Sequence, residues 1–281
     1  MFAALFALIT FGVDMDVVYS RAGGEELKMD IHRPLDAGDK PLPCVVVIHG
    51  GAWVGGQRQD MDQLARVFAA KGVVAANISY RLAKAPKFYR WPSMLDDAQT
   101  AVRFVRENAA KYRIDPLRIG ASGASAGGHL ALFLGSRDTR DPKPAEFPVH
   151  SSRVGAVLDL FGPTDMTKDY PRNGAIDFLF MTVLGKPRDQ AQKEIEDASP
   201  IRFMDSKSAP VFIVQGLADT LVSPNQSRTL EAKLRELGVP VESRYVEGMG
   251  HGGDLADPKV KAAYESGIDW LVGRITGNGT R

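Results

Sequence analysis

The segment Gly123-Ala124-Ser125-Ala126-Gly127 constrains this chain more than any other. It follows an apolar run at residues 117–121 and precedes a small-residue stretch at 128–134, which places Ser125 at a strand-to-helix corner. Glycines flank the serine because the chain must reverse sharply there. A Cβ beside the strained corner would collide with the neighbouring strand or helix. This is the pattern of a nucleophile elbow, which leaves the hydroxyl exposed for chemistry. The pattern alone is weak, since a serine after a strand is often only a helix N-cap. The rest of the chain decides.

A serine hydroxyl is a poor nucleophile at neutral pH. It needs a base within hydrogen-bond reach, and the base needs a third group to fix its tautomer. His251 sits in Gly248-Met249-Gly250-His251-Gly252-Gly253, where flanking glycines let the imidazole turn into a cleft. The other histidines have competing explanations: His32 ends a strand, His49 is placed to orient a glycine turn, His129 follows the serine on its helix, and His150 lies in a loop. Among carboxylates, Asp159, Asp165 and Asp254 compete with Asp219. Spacing favours Asp219, which follows a strand through the turn Gly216-Leu217-Ala218 and precedes His251 by one helix and one strand. Asp165, after Gly162-Pro163-Thr164, reads better as a loop-tying residue.

An oxyanion forming at the carbon under attack needs preorganised donors, typically worth about 3–4 kcal/mol each. The N–H of Ala126 is one candidate. Gly50, Gly51 and Ala52, in His49-Gly50-Gly51-Ala52-Trp53 after the apolar run 44–48, supply the others. A phosphate-cradling loop is the rival reading of these glycines, but the Lys-Ser/Thr ending it requires is missing. No metal-ligand spacing is present in the sequence. Trp53 and Trp91 are candidates to line a substrate pocket, with plain packing as the alternative.

Residues 15–20 and 27–32 read as an antiparallel hairpin at the edge of a mixed sheet, because Leu27, Met29 and Ile31 alternate with polar residues. The unbroken run Val45-Val46-Val47-Ile48 suits a strand buried on both faces. Strands at 73–80, 117–122, 154–161, 210–215 and 241–246 then alternate with helices at 61–70, 94–111, 128–134, 225–237 and 259–272. The expectation is an α/β fold with an eight-stranded, mostly parallel sheet and helices on both faces. Loops after the strand C-termini gather along one edge, where open α/β sheets bind ligands. Residues 163–209 lack a strong strand and read as a small helical cap over the site, with ordinary packing helices as the alternative.

A chain of 281 residues suffices for one such domain, here 14–281. Its net charge of +1 gives no attraction to nucleic acid or acidic membranes. The single cysteine, Cys44, cannot close an intramolecular disulfide and reads as a small core residue. Residues 1–13 are almost wholly apolar but too short to span a bilayer. They read as the remnant of a signal peptide, implying a secreted or periplasmic protein, or as a short packed or surface helix, leaving a cytoplasmic one open.

With the order serine, acid, histidine in hand, the chain resembles α/β-hydrolase serine esterases, particularly the group of bifunctional feruloyl and acetylxylan esterases. Hormone-sensitive-lipase-like esterases are similar at greater distance. The resemblance covers roughly residues 16–272 and rests on the segments quoted above together with Tyr80-Arg81-Leu82-Ala83 and Ile114-Asp115-Pro116-Leu117-Arg118-Ile119-Gly120. Ala52-Trp53 stands where the lipase-like pattern has a third glycine, which tilts the match toward the feruloyl and acetylxylan group. The resemblance implies a carboxylesterase that forms an acyl-enzyme and needs no cofactor, with short-chain, aryl or polysaccharide-linked esters as substrates. Kynurenine formamidases look similar at the same motif, so amide hydrolysis stays open, as does an inactive scaffold that only binds.

Overall fold

A computed structural model describes residues 11–35, 38, 40–140 and 146–277 of the protein. Among these residues, eight strands form one sheet: β1 (Phe11–Ala22), β2 (Glu25–Pro34), β3 (Leu42–Ile48), β4 (Val74–Ile78), β5 (Ile114–Ala124), β6 (Val157–Leu160), β7 (Val211–Gly216) and β8 (Val241–Val246). Their spatial order is β1-β2-β4-β3-β5-β6-β7-β8. The edge hairpin is antiparallel to its neighbour, and every pairing from β4 through β8 is parallel. The run Val45 to Ile48 is fully buried because it lies inside this sheet with apolar clusters on both faces.

Among the described residues, eight α-helices accompany the strands: α1 (Asp62–Ala70), α2 (Ser93–Glu107), α3 (Ala109–Tyr112), α4 (Ala126–Ser136), α5 (Gly174–Leu184), α6 (Gln192–Asp197), α7 (Pro224–Glu236) and α8 (Pro258–Thr276). On one face Met94 and Leu95 of α2, Leu130 and Leu134 of α4, and Leu230 of α7 pack with Val46, Ile48 and Ile213. On the other, Phe68 of α1 and Leu271 of α8 pack with Val45, Val47 and Phe212. Helix α4 is buried along its entire length, which explains why its sequence is small and apolar all round. Cys44 lies in this core, and burial pushes its thiol up to about 12.

Three of the differences from the expected boundaries have specific physical causes. β1 begins at Phe11, so Phe11, Gly12 and Val13 pair with Pro34, Arg33 and His32 as part of the sheet and do not belong to a separate apolar segment. The rest of that segment, residues 1–10, lies outside the described residues. The helix expected at 94–111 breaks at Asn108, whose side-chain amide donates to Phe104 O at 2.9 Å and competes with the helical backbone. The strand expected at 154–161 shortens to β6, since only Val157 to Leu160 pair with both β5 and β7. Among the described residues no helix is long and apolar enough to cross a membrane.

Candidate active site

Ser125 stands between β5 and α4 with φ 55° and ψ −118°, a left-handed conformation that costs a non-glycine residue about 1–3 kcal/mol. The corner is held on both sides, since Ser125 N–H donates to Leu160 O at 2.8 Å and Ser125 O accepts from His129 N–H at 3.0 Å. Gly127 shows why the corner has no side chains. A Cβ there would lie 2.1 Å from Ile48 O and 2.6 Å from His49 O, both backbone atoms that cannot swing aside. Gly127→Ala is therefore expected to separate α4 from β3 and destabilise the fold by about 3 kcal/mol. Thermal unfolding should register this as a fall of roughly 6–12 °C, and an unchanged Tm would contradict the packing described.

Three loops at the carboxyl edge of the sheet bring the expected residues together. His251 Nε2 lies 2.9 Å from Ser125 Oγ, and His251 Nδ1 lies 2.8 Å from Asp219 Oδ2. The Asp219 carboxylate is buried. Its Oδ1 accepts the N–H of Leu221 and of Val222, each at 2.9 Å, and Gln215 Nε2 donates to Oδ2 at 3.2 Å. Burial raises the carboxyl pKa, but the hydrogen bond from His251 and the backbone donors outweigh it and hold the group below its ordinary value. Asp219 is thus ionised at neutral pH and can accept only a protonated Nδ1, which leaves Nε2 with a lone pair facing Ser125 Oγ.

The glycine turn after β3 abuts this corner, for a Cβ on Gly50 would sit 3.4 Å from Ser125 Cβ. Gly51 has φ 110°, a region closed to side chains, and Ala52 (φ 52°) and Trp53 (φ 62°) follow in the left-handed region. Val54 N–H closes the turn on Gly51 O at 3.0 Å, so Ala52 and Trp53 are its two strained central residues. Among the described residues, the N–H groups of Gly50, Gly51, Ala52 and Ala126 make no protein hydrogen bond. His49 braces the turn: its Nδ1 donates to Gly50 O at 2.7 Å and its ring stacks on Tyr80 at 4.3 Å, while Tyr80 Oη donates to His49 O at 3.0 Å.

Trp53 and Trp91 meet around His129, with ring centroids 4.9 Å and 5.4 Å from the imidazole. They line a small apolar cavity of about 10 Å³, whose other wall comes from Leu179, Phe180 and Val183 of α5, Ile195 of α6, and Met166 and Ala198. His129 Nε2 donates to Ala198 O at 2.7 Å, and burial pushes the imidazole down to about 4, so it is neutral here. The remaining candidates lie apart from the relay. Asp165 Oδ1 accepts from Thr167 N–H at 3.0 Å and Asp254 Oδ1 from Ala256 N–H at 2.8 Å, each tying its own loop. His32 is buried 3.4 Å from Asp62, and His150 contacts Glu107 at 2.7 Å.

Two contributors to the site were not singled out from sequence. Gln215, next to last in the apolar strand β7, donates to Asp219 Oδ2 on one side and accepts from Ser227 Oγ at 2.9 Å on the other. A polar residue near the end of an otherwise apolar buried strand is the signal that could have marked it. Phe161, with φ 47°, sets its ring edge-on to His251 at 4.9 Å. Its apolar context carries no such signal.

The strand order, the crossovers and the serine corner define an α/β-hydrolase fold. The BD-FAE family model matches residues 29–234, and the chain belongs to that family. Esterase LipC of Mycobacterium tuberculosis is 34% identical over 82% of this chain and 57% of LipC. The chain spans a little over half the length of the curated relatives it matches. A truncated form of a carbohydrate esterase from gut microbiota superposes with a TM-score of 0.82 at 27% identity, over 96% of this chain and 99% of that one. Esterase 2 of Thermogutta terrifontis, phosphonylated by sarin, matches with a TM-score of 0.78 at 27% identity over 92% of each chain.

Proposed function

We propose that this protein is a serine carboxylesterase acting through an acyl-enzyme on Ser125. The observation that carries the reading is the relay Ser125–His251–Asp219, with contacts of 2.9 Å and 2.8 Å. In this reading His251 Nε2 takes the Ser125 proton as Oγ attacks the ester carbonyl, then returns it to the departing alcohol. Asp219 holds the imidazole tautomer and stabilises the imidazolium. The N–H groups of Ala126, Gly50, Gly51 and Ala52 are the candidate donors for the tetrahedral oxyanion. A water activated by His251 releases the acid in the second half-reaction. No step calls on a cofactor.

Trp53 and Trp91, with the cap formed by α5 and α6, are proposed to receive the acyl group. The proposed natural substrates are acetyl or feruloyl esters of plant polysaccharide. Family membership and the likeness to a carbohydrate esterase support that choice.

The test is a parallel comparison of kcat/KM on p-nitrophenyl acetate, butyrate and octanoate, methyl ferulate, acetylated xylan and N-formylkynurenine. Turnover is expected to be highest on acetate, ferulate or xylan. Dominant cleavage of the formamide would reassign the protein as an amidase. Absence of turnover on every compound would leave only a binding scaffold.

A further inference from the structure

Asp159 is a carboxylate that the relay does not use, one residue before Leu160, whose carbonyl accepts the Ser125 N–H. It sits on β6 between Gly123 of β5 and Ile213 of β7, fully buried, beneath the first turn of α4. The approach to that turn is close: a Cβ on Gly128 would lie 2.4 Å from Asp159 Oδ1, and one on Gly162 would lie 2.5 Å from the same atom. Oδ1 accepts the N–H of Gly162 at 2.9 Å, while Oδ2 has no partner among the described residues. An ionised carboxylate with one oxygen unpartnered in the core is far costlier than a neutral acid.

The α4 N-terminus and the Gly162 N–H favour the charged form, but burial outweighs them, and the titratable side chains around Asp159 do not offset its cost. His129 on α4 is neutral and bonded to Ala198 O, Asp165 beyond β6 is bonded to Thr167, and Asp219 and His251 at the ends of β7 and β8 are bonded to each other. With burial as the dominant cause, the carboxyl is pushed up to about 8. Asp159 is therefore protonated at neutral pH.

We propose that Asp159 is a positioning residue for the oxyanion site: as a neutral acid it packs against Gly128 in the first turn of α4, and on ionisation it sets a negative charge against the turn that begins at Ala126 and opposes oxyanion formation. The positive end of α4 is what makes Ala126 N–H a strong donor, and a carboxylate one turn away cancels part of that field. The inference rests on the serine-esterase reading of the site. It predicts an alkaline fall in kcat that belongs to Asp159.

The test compares wild type with Asp159→Asn, which keeps the shape and the acceptor for Gly162 N–H but cannot ionise. On p-nitrophenyl acetate, the ratio of kcat at pH 9.5 to that at pH 7.5 is expected to fall about tenfold in wild type and to stay within about twofold in the variant. A second readout needs no turnover. An unfolded carboxylate titrates near 3.9, so between that value and about 8 the folded state holds one more proton and stability falls as pH rises. The Tm advantage of Asp159→Asn should therefore widen from pH 5 to pH 8. An alkaline fall that persists in the variant, or a Tm difference independent of pH, would overturn the proposal. Absence of esterase activity in wild type with the widening Tm difference intact would instead sink the catalytic reading and leave Asp159 a buried acid without that role.

Discussion

Ser125→Ala is expected to lower kcat/KM on p-nitrophenyl acetate by at least about 10⁴-fold while the protein stays folded. The substitution removes only Oγ. The corner keeps its strain, because alanine and serine pay the same penalty at φ 55°, and the backbone bonds to Leu160 and His129 do not involve the side chain. The loss is therefore chemical: His251 Nε2 retains its lone pair but has no proton to take, and no acyl-enzyme forms. Matching far-UV circular dichroism and a Tm within a few degrees of wild type would show that the fold is not the cause. Turnover within tenfold of wild type would mean that another nucleophile or a directly attacking water does the work.

Asp219→Asn should cost about 10⁴-fold in kcat, nearly as much, by a different route. The wild-type carboxylate accepts from His251 on Oδ2 and from Leu221 and Val222 N–H on Oδ1. An asparagine keeps its carbonyl toward the two backbone donors and so turns its NH₂ toward His251. Nδ1 must then accept, which puts the imidazole proton on Nε2, facing Ser125, where a base is needed. KM should change little, since Asp219 does not line the cavity at Trp53 and Trp91. Steady-state kinetics on the acetate ester separates the two parameters. A kcat within tenfold of wild type would show that another carboxylate orients His251.

What the sequence disclosed and what it hid have physical reasons. Ser125, Asp219 and His251 were readable because each follows a strand through a turn that contains glycine, and turn chemistry is local. The central strands β3, β4 and β7 were readable because parallel strands buried on both faces are almost continuously apolar, whereas the edge hairpin was readable from its alternation of apolar and polar residues. Phe11 was read with the apolar residues before it, since its pairing with Pro34 is a tertiary fact. The break at Asn108 depends on one side-chain bond that composition does not reveal. Gln215 carried only the faint mark of a polar residue near the end of an apolar strand, and Phe161 meets His251, ninety residues away, only through the sheet.

The most direct test is to treat the protein with paraoxon, follow loss of acetate-ester turnover, and locate the adduct by peptide mass spectrometry. A diethylphosphoryl group on Ser125 is expected, with activity falling in proportion to its occupancy and no labelling of that peptide in Ser125→Ala. Full turnover with Ser125 quantitatively modified, or inactivation tracking an adduct at another residue, would contradict the Ser125 mechanism.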